Sequence, residues 1–181
     1  MVVAPVDRDG PHAGGARGLV HAGFGVKPGD DEYDALREAF LEFYRERPCV
    51  DTRLFPGIAE LLQEFARRAI PWGVVTNKAT RFTERIIATL KLAPACVVCG
   101  DTTPHFKPHP APMLHAAGLL ALPAKDCMYL GDDLRDIQAG RAAGMRTVAV
   151  EWGYHHPESD GPEAWNADAV INHPRDLISL L

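Results

Sequence analysis

Residues 127–140 read CMYLGDDLRDIQAG. An apolar run, Cys127–Leu130, ends in a glycine, and three carboxylates follow within five positions: Asp132, Asp133 and Asp136. Like charges one helical turn apart repel, so this crowding asks for something positive among them. The apolar run has the length of a buried strand, and Leu134–Ala143 carries helical spacing. A strand that runs through Gly-Asp-Asp straight into a helix is the unit of an α/β fold.

The same alternation extends on either side. Upstream, IPWGVVT (70–76) reads as a strand, 79–90 as a helix carrying Phe82, Ile86 and Leu90, and CVVC (96–99) as a strand. A helix from about Pro110 to Leu120 follows. Downstream, RTVAV (146–150) and ADAVI (167–171) read as strands, and PRDLISLL as a closing helix. Before the first strand stand two amphipathic helices. One lies within 31–46, with Tyr33, Leu36, Phe40, Phe43 and Tyr44 on one side; the other is in FPGIAELLQEFARRA, with Ile58, Leu61, Leu62, Phe65 and Ala66 as its stripe. The strands are continuous apolar runs rather than alternating ones, which implies a parallel sheet covered by helices on both faces. In such sheets ligands bind beyond the carboxyl ends of the strands, so the residues to inspect are those just after each strand.

At those ends stand Thr76, Asn77 and Lys78; the loop GDTTPHFKPHPAP with Lys107; and the Asp132–Asp133–Asp136 group. A hydroxyl with neighbouring main-chain N–H groups, an ammonium and a carboxylate pair can hold a phosphate together with a hard divalent cation such as Mg²⁺. Each residue also has a plainer role: Thr76 and Asp133 as helix N-caps, Lys107 as a solvated lysine. Their common placement at strand ends is what favours the shared site.

With 181 residues, 46% of them apolar, 24% charged and a net charge of −5, the chain suits a globular protein without affinity for nucleic acid or an anionic membrane. No apolar run reaches the length of a bilayer span, and MVVAPVDRDG lacks the form of a signal peptide; a cytoplasmic location is the expectation. Cys96 and Cys99 frame Val97 and Val98 inside an apolar run, so they read as core residues rather than as a redox or zinc pair. His105, His109 and His115 lie in or just beyond the Lys107 loop, but the intervening prolines argue against a shared metal-binding face. They read as structural or solvated, with His105 a possible contact for substrate. A receiver domain also gathers acids, Thr and Lys, but its acid pair comes first in sequence. No glycine-rich nucleotide loop is present.

VVTNK, HFKPHP and YLGDDLRDIQAG, in this order, resemble motifs two, three and four of the haloacid dehalogenase superfamily as found in its phosphatases, and the likeness covers nearly all of residues 55–181. GGARGLVHAGFG and the helix after it are similar to the small helical cap of phosphoglycolate phosphatases. The resemblance implies a Rossmann-like α/β core over 55–181, with a truncated helical cap and a residual N-terminal segment over 1–54. It implies that Thr76 and Asn77 bind the transferring phosphoryl group and that Lys107 steadies the charge. Asp132 would ligate Mg²⁺ and Asp136 would hold its water shell. An aspartate of motif one, D-x-D-G-T, would attack phosphorus to form an aspartyl-phosphate that water hydrolyses.

Asp7-Arg8-Asp9-Gly10 has the D-x-D-G spelling. Pro11 stands where the motif has Thr, Pro5 interrupts the preceding run, and GGARGLV, which resembles mid-cap sequence, already begins at Gly14. The expectation is therefore that the spelling is coincidental and that the chain lacks its nucleophile, is catalytically weak and is marginally folded. The substrate is expected to be a small phosphorylated metabolite. Arg17 is a candidate partner for a substrate carboxylate, a group present in phosphoglycolate and in N-acetylmuramic acid 6-phosphate. The resemblance implies a phosphoglycolate phosphatase type. The alternatives are a phosphatase for N-acetylmuramic acid 6-phosphate and a non-catalytic remnant that binds phosphate and Mg²⁺.

Overall fold

The structure, a computed structural model, describes residues 15–46, 52–153 and 160–181. Asp7 and Asp9 lie outside the described residues; of Arg17 only the main chain, within the first helix, is described. The elements in order are α1 (Gly15–Phe24), α2 (Tyr33–Glu46), α3 (Ile58–Arg67), β1 (Gly73–Val75), α4 (Thr80–Thr89), β2 (Cys96–Val98), α5 (Ala111–Leu119), β3 (Met128–Gly131), α6 (Leu134–Ala142), β4 (Arg146–Val150) and β5 (Ala169–Ile171). Every strand pair is parallel.

Apolar spacing explains the helices. In α3, Ile58, Leu61 and Phe65 are buried on one stripe, while Glu64 on the solvent side pairs with Arg67 and Arg68. Side chains on a strand alternate in direction, and consecutive residues of β3 enter different cores. Tyr129 packs with Val75, Val98, Met113, Ala116, Ala139 and Ala143. Leu130 packs with Val148, Val150 and Ile171 against Leu61, Phe65 and Leu177. This places α5 and α6 over one face and α3 over the other, the two-sided cover that the continuous apolar runs call for. Cys96 and Cys99 are buried, as their setting suggests.

The differences from the sequence reading are local but informative. The closing segment Pro174–Ser179 is helical as expected and takes the 3-10 form, entered through a capping box between His173 and Asp176. The pairing is also divided. β1 pairs with β2, and β3–β4–β5 form a second group; among the described residues no main-chain pairing joins β1 to β3. Side chains cross the seam instead: the Tyr129 hydroxyl donates to the Val75 carbonyl at 3.2 Å, and Lys107 Nζ donates to the same oxygen at 3.3 Å.

Helices α1 and α2 pack on one another, with Val20, Tyr33 and Leu41 buried. Their link to the core is aromatic and cationic. Tyr44 of α2 meets Phe82 of α4 edge-on at 5.2 Å, and its hydroxyl accepts a hydrogen bond from Lys78 Nζ at 2.9 Å. No described helix is long and apolar enough to cross a membrane.

Candidate active site

Three segments meet beyond the carboxyl ends of β1, β2 and β3. Thr76 extends the β1–β2 ladder by one bond, its N–H donating to the Val98 carbonyl at 2.9 Å. Its hydroxyl oxygen accepts from the Lys78 N–H at 3.1 Å, a local turn typical of threonine. Thr76 therefore does not cap α4, whose N-cap is Ala79. Because a hydroxyl both accepts and donates, the Thr76 proton stays available for a ligand oxygen.

Lys107 arrives on the loop after β2, and its main chain is held by Asn77. The Asn77 Oδ1 accepts from the Lys107 N–H at 2.9 Å, and Nδ2 donates to the Lys107 carbonyl at 3.1 Å. The Lys107 ammonium then lies among three acceptors: Asp136 Oδ1 at 2.6 Å, the Tyr129 hydroxyl at 3.1 Å and the Val75 carbonyl at 3.3 Å. An ammonium has three N–H bonds, so each has a partner. The Lys107 and Asp136 side chains are only 11% and 6% exposed. A buried ion pair of this kind persists only when its remaining polar atoms are satisfied, and Tyr129 helps to do that. Burial pushes the Tyr129 phenol well above its ordinary pKa, and the neighbouring Asp136 charge adds to the shift, so the hydroxyl keeps its proton as a donor.

The carboxylates divide their duties. Asp133 caps α6, accepting from the Arg135 N–H at 2.8 Å, and is gripped by the Arg135 guanidinium at 2.8 and 2.6 Å. Burial works against its charged form, but these bonds outweigh it and hold its carboxyl below the usual range. Asp133 is thus the structural member of the group. Asp136 projects from the first turn of α6 against Gly131, where a Cβ would lie 2.1 Å from the Asp136 Cβ. Asp132 is approached equally closely by Gly153, whose φ of 143° suits only glycine and whose added Cβ would lie 2.3 Å from the Asp132 Cβ.

Among the described residues no three acidic, imidazole or thiol side chains form a ready-made metal cage. Mg²⁺ takes one or two carboxylates and keeps water or phosphate oxygens in its other positions, whereas a structural zinc wants four protein ligands. Asp132 and Asp136 carry carboxylate oxygens of the kind that could hold Mg²⁺.

Sequence reasoning named Thr76, Asn77, Lys107, Asp132 and Asp136, and the structure brings Asn77, Lys107 and Asp136 into direct contact. It missed Tyr129 and the Val75 carbonyl. A tyrosine inside a buried strand was the available signal, because its hydroxyl needs a partner there. His105 and His109 stack on each other with ring centroids 4.1 Å apart.

Comparison with known proteins gives the family. The family described as haloacid dehalogenase-like hydrolase matches residues 23–150. An N-acetylmuramic acid 6-phosphate phosphatase of Pseudomonas putida is 46% identical over 167 residues, covering 91% of this chain and 74% of that protein. A phosphoglycolate phosphatase of Xanthomonas campestris is 40% identical over 146 residues, covering 80% of this chain and 66% of that one. A crystal structure described as a predicted phosphoglycolate phosphatase from Haemophilus somnus superposes with a TM-score of 0.78 at 25% identity, covering 91% of this chain and 73% of that chain. With the family match spanning most of the sequence, and Thr76, Lys107 and the Asp132–Asp136 group at adjoining strand ends, the chain belongs to the haloacid dehalogenase-like hydrolase family.

Proposed function

We propose that this chain is a phosphomonoester hydrolase whose substrate is a small carboxylate-bearing phosphate ester, with N-acetylmuramic acid 6-phosphate ahead of phosphoglycolate. The order follows the higher identity and wider coverage of the relative named for the first ester. The observation that carries the reading is the Lys107 ammonium, held at the strand ends beside Asp136.

In this reading the Thr76 hydroxyl and the Asn77 main-chain N–H donate to phosphoryl oxygens, and Lys107 offsets their charge, so the site works mainly by placed donors and charge. Asp132, with Asp136 behind a water shell, would hold Mg²⁺, which when bound supplies further positive charge against the phosphoryl group. An aspartate carboxylate forms the new bond to phosphorus while the ester oxygen departs and takes a proton; water then cleaves the aspartyl-phosphate and releases inorganic phosphate. Pro5 and Pro11 on either side of Asp7-Arg8-Asp9-Gly10 argue against Asp7 as this aspartate, so Asp7→Asn is the variant that decides whether the chain carries its nucleophile; Arg17 is the candidate partner of the substrate carboxylate.

The test is turnover of both esters by the purified 181-residue chain, with and without Mg²⁺. The expected result is Mg²⁺-dependent release of phosphate, fastest from N-acetylmuramic acid 6-phosphate, and reduced about 10²-fold or more in Thr76→Val. Loss of turnover in Asp7→Asn assigns the nucleophile. Phosphate binding by calorimetry without hydrolysis of either ester replaces this reading with that of a binding remnant.

A further inference from the structure

We propose that the Asn77 side chain is a positioning group for Lys107 rather than a phosphate ligand. Both of its polar atoms are spent on one residue 30 positions away: Oδ1 receives the Lys107 N–H at 2.9 Å and Nδ2 reaches the Lys107 carbonyl at 3.1 Å. This is the bonding that a neighbouring strand would provide, supplied by a side chain. The Lys107 loop needs such a clasp because it is poor in main-chain donors of its own, with Pro104, Pro108 and Pro110 within seven positions.

Only an amide fits the task. Aspartate lacks the donor, serine cannot present donor and acceptor together at that spacing, and glutamine carries an extra methylene. The clasp also sits on a firm base. The Gly100 N–H donates to the Lys78 carbonyl at 2.9 Å, and a Cβ on Gly100 would lie 2.3 Å from the Asn77 carbonyl oxygen. The turn at Asn77–Lys78 and the loop after β2 are thus closed at both ends, Gly100 and Lys107. Holding the Lys107 main chain at this point sets where its ammonium meets Asp136.

The inference deepens the phosphatase reading through Lys107, but its first test does not require turnover. Amide hydrogen exchange at Lys107 in the phosphate-free protein is expected to run about tenfold faster in Asn77→Ala than in wild type. Amides of β4 should be unchanged, which controls for loss of the fold. Asn77→Asp, which keeps the acceptor but sets a second carboxylate oxygen against the Lys107 carbonyl, is expected to restore only part of the Lys107 protection, a graded response that a change in general stability would not give. Equal Lys107 exchange in wild type and Asn77→Ala overturns the proposal. A second arm adds saturating inorganic phosphate with Mg²⁺. Protection at Lys107 that persists supports the clasp, whereas protection lost on binding shows Asn77 swinging to the anion and overturns it. If phosphate does not bind at all, the phosphatase reading fails, while the first arm still decides the role of Asn77.

Discussion

Replacing Tyr129 by phenylalanine removes one oxygen and leaves the ring's shape intact, so it isolates the polar contribution where the two groups of strands meet. Tyr129 is 2% exposed. Its hydroxyl accepts from Lys107 Nζ at 3.1 Å and has the Val75 carbonyl at 3.2 Å and Asp136 Oδ1 at 3.3 Å as acceptors for its own proton. The change therefore loses one bond from a charged donor, worth about 1.5–3 kcal/mol, and one neutral bond of about 0.5–1.5 kcal/mol. Both remaining acceptors keep Lys107, so the unmet desolvation falls on a single ammonium N–H. The net loss should be about 2–4.5 kcal/mol. In a chain of this size that lowers Tm by roughly 4–18 °C. Urea denaturation should show a lower midpoint with an unchanged m-value. A loss under about 0.5 kcal/mol, or a gain, would refute the account of Tyr129 as the polar tie at this position.

Three further outcomes follow from the packing. Phe65→Ala empties the centre of the core under α3 and should cost about 3–5 kcal/mol in the same urea experiment. Gly131→Ala places a methyl group against Asp136, 2.1 Å from its Cβ; the Lys107 ion pair should be displaced, and the protein should lose any thermal stabilisation by Mg²⁺ with phosphate seen in wild type. Asp168 accepts from the Thr147 N–H at 2.7 Å and hydroxyl at 2.9 Å, and these bonds hold its carboxyl below the ordinary value. A depressed carboxylate stabilises the fold above its unfolded pKa of about 4 and loses that effect as pH falls through the folded value. The Tm difference between wild type and Asp168→Asn should accordingly be full at neutral pH and shrink below about pH 4.

Much of the core was legible because its signals are local. Continuous short runs such as CVVC and RTVAV, alternating with helical segments, fit a buried parallel sheet, and the stripe Ile58–Leu61–Phe65 fits one face of a helix. The strand-end rule then pointed to Thr76, Lys107 and Asp132 without any knowledge of distances. What stayed hidden depends on contacts across the chain. Nothing in the spelling of Asn77 reveals that its amide turns to residue 107, nor that Lys107 takes its third acceptor from the Val75 main chain. Asp133 was open between cap and ligand, and Arg135, two residues on, decides the matter for the cap. The closing helix in PRDLISLL was read correctly as a helix, and its 3-10 form is a detail that the apolar spacing does not carry.

Among the described residues, the seam between β1 and β3 gives the site a mechanical meaning. Thr76 and Asn77 belong to one bank, Asp132 and Asp136 to the other, and Lys107 reaches from the first bank to the second. A ligand held by all of them spans the divide, so its binding energy would oppose the parting of the banks as well as drive chemistry. Occupancy of the site and cohesion of the fold should then rise together, by RT ln(1 + [L]/Kd) for a ligand that binds only the closed form.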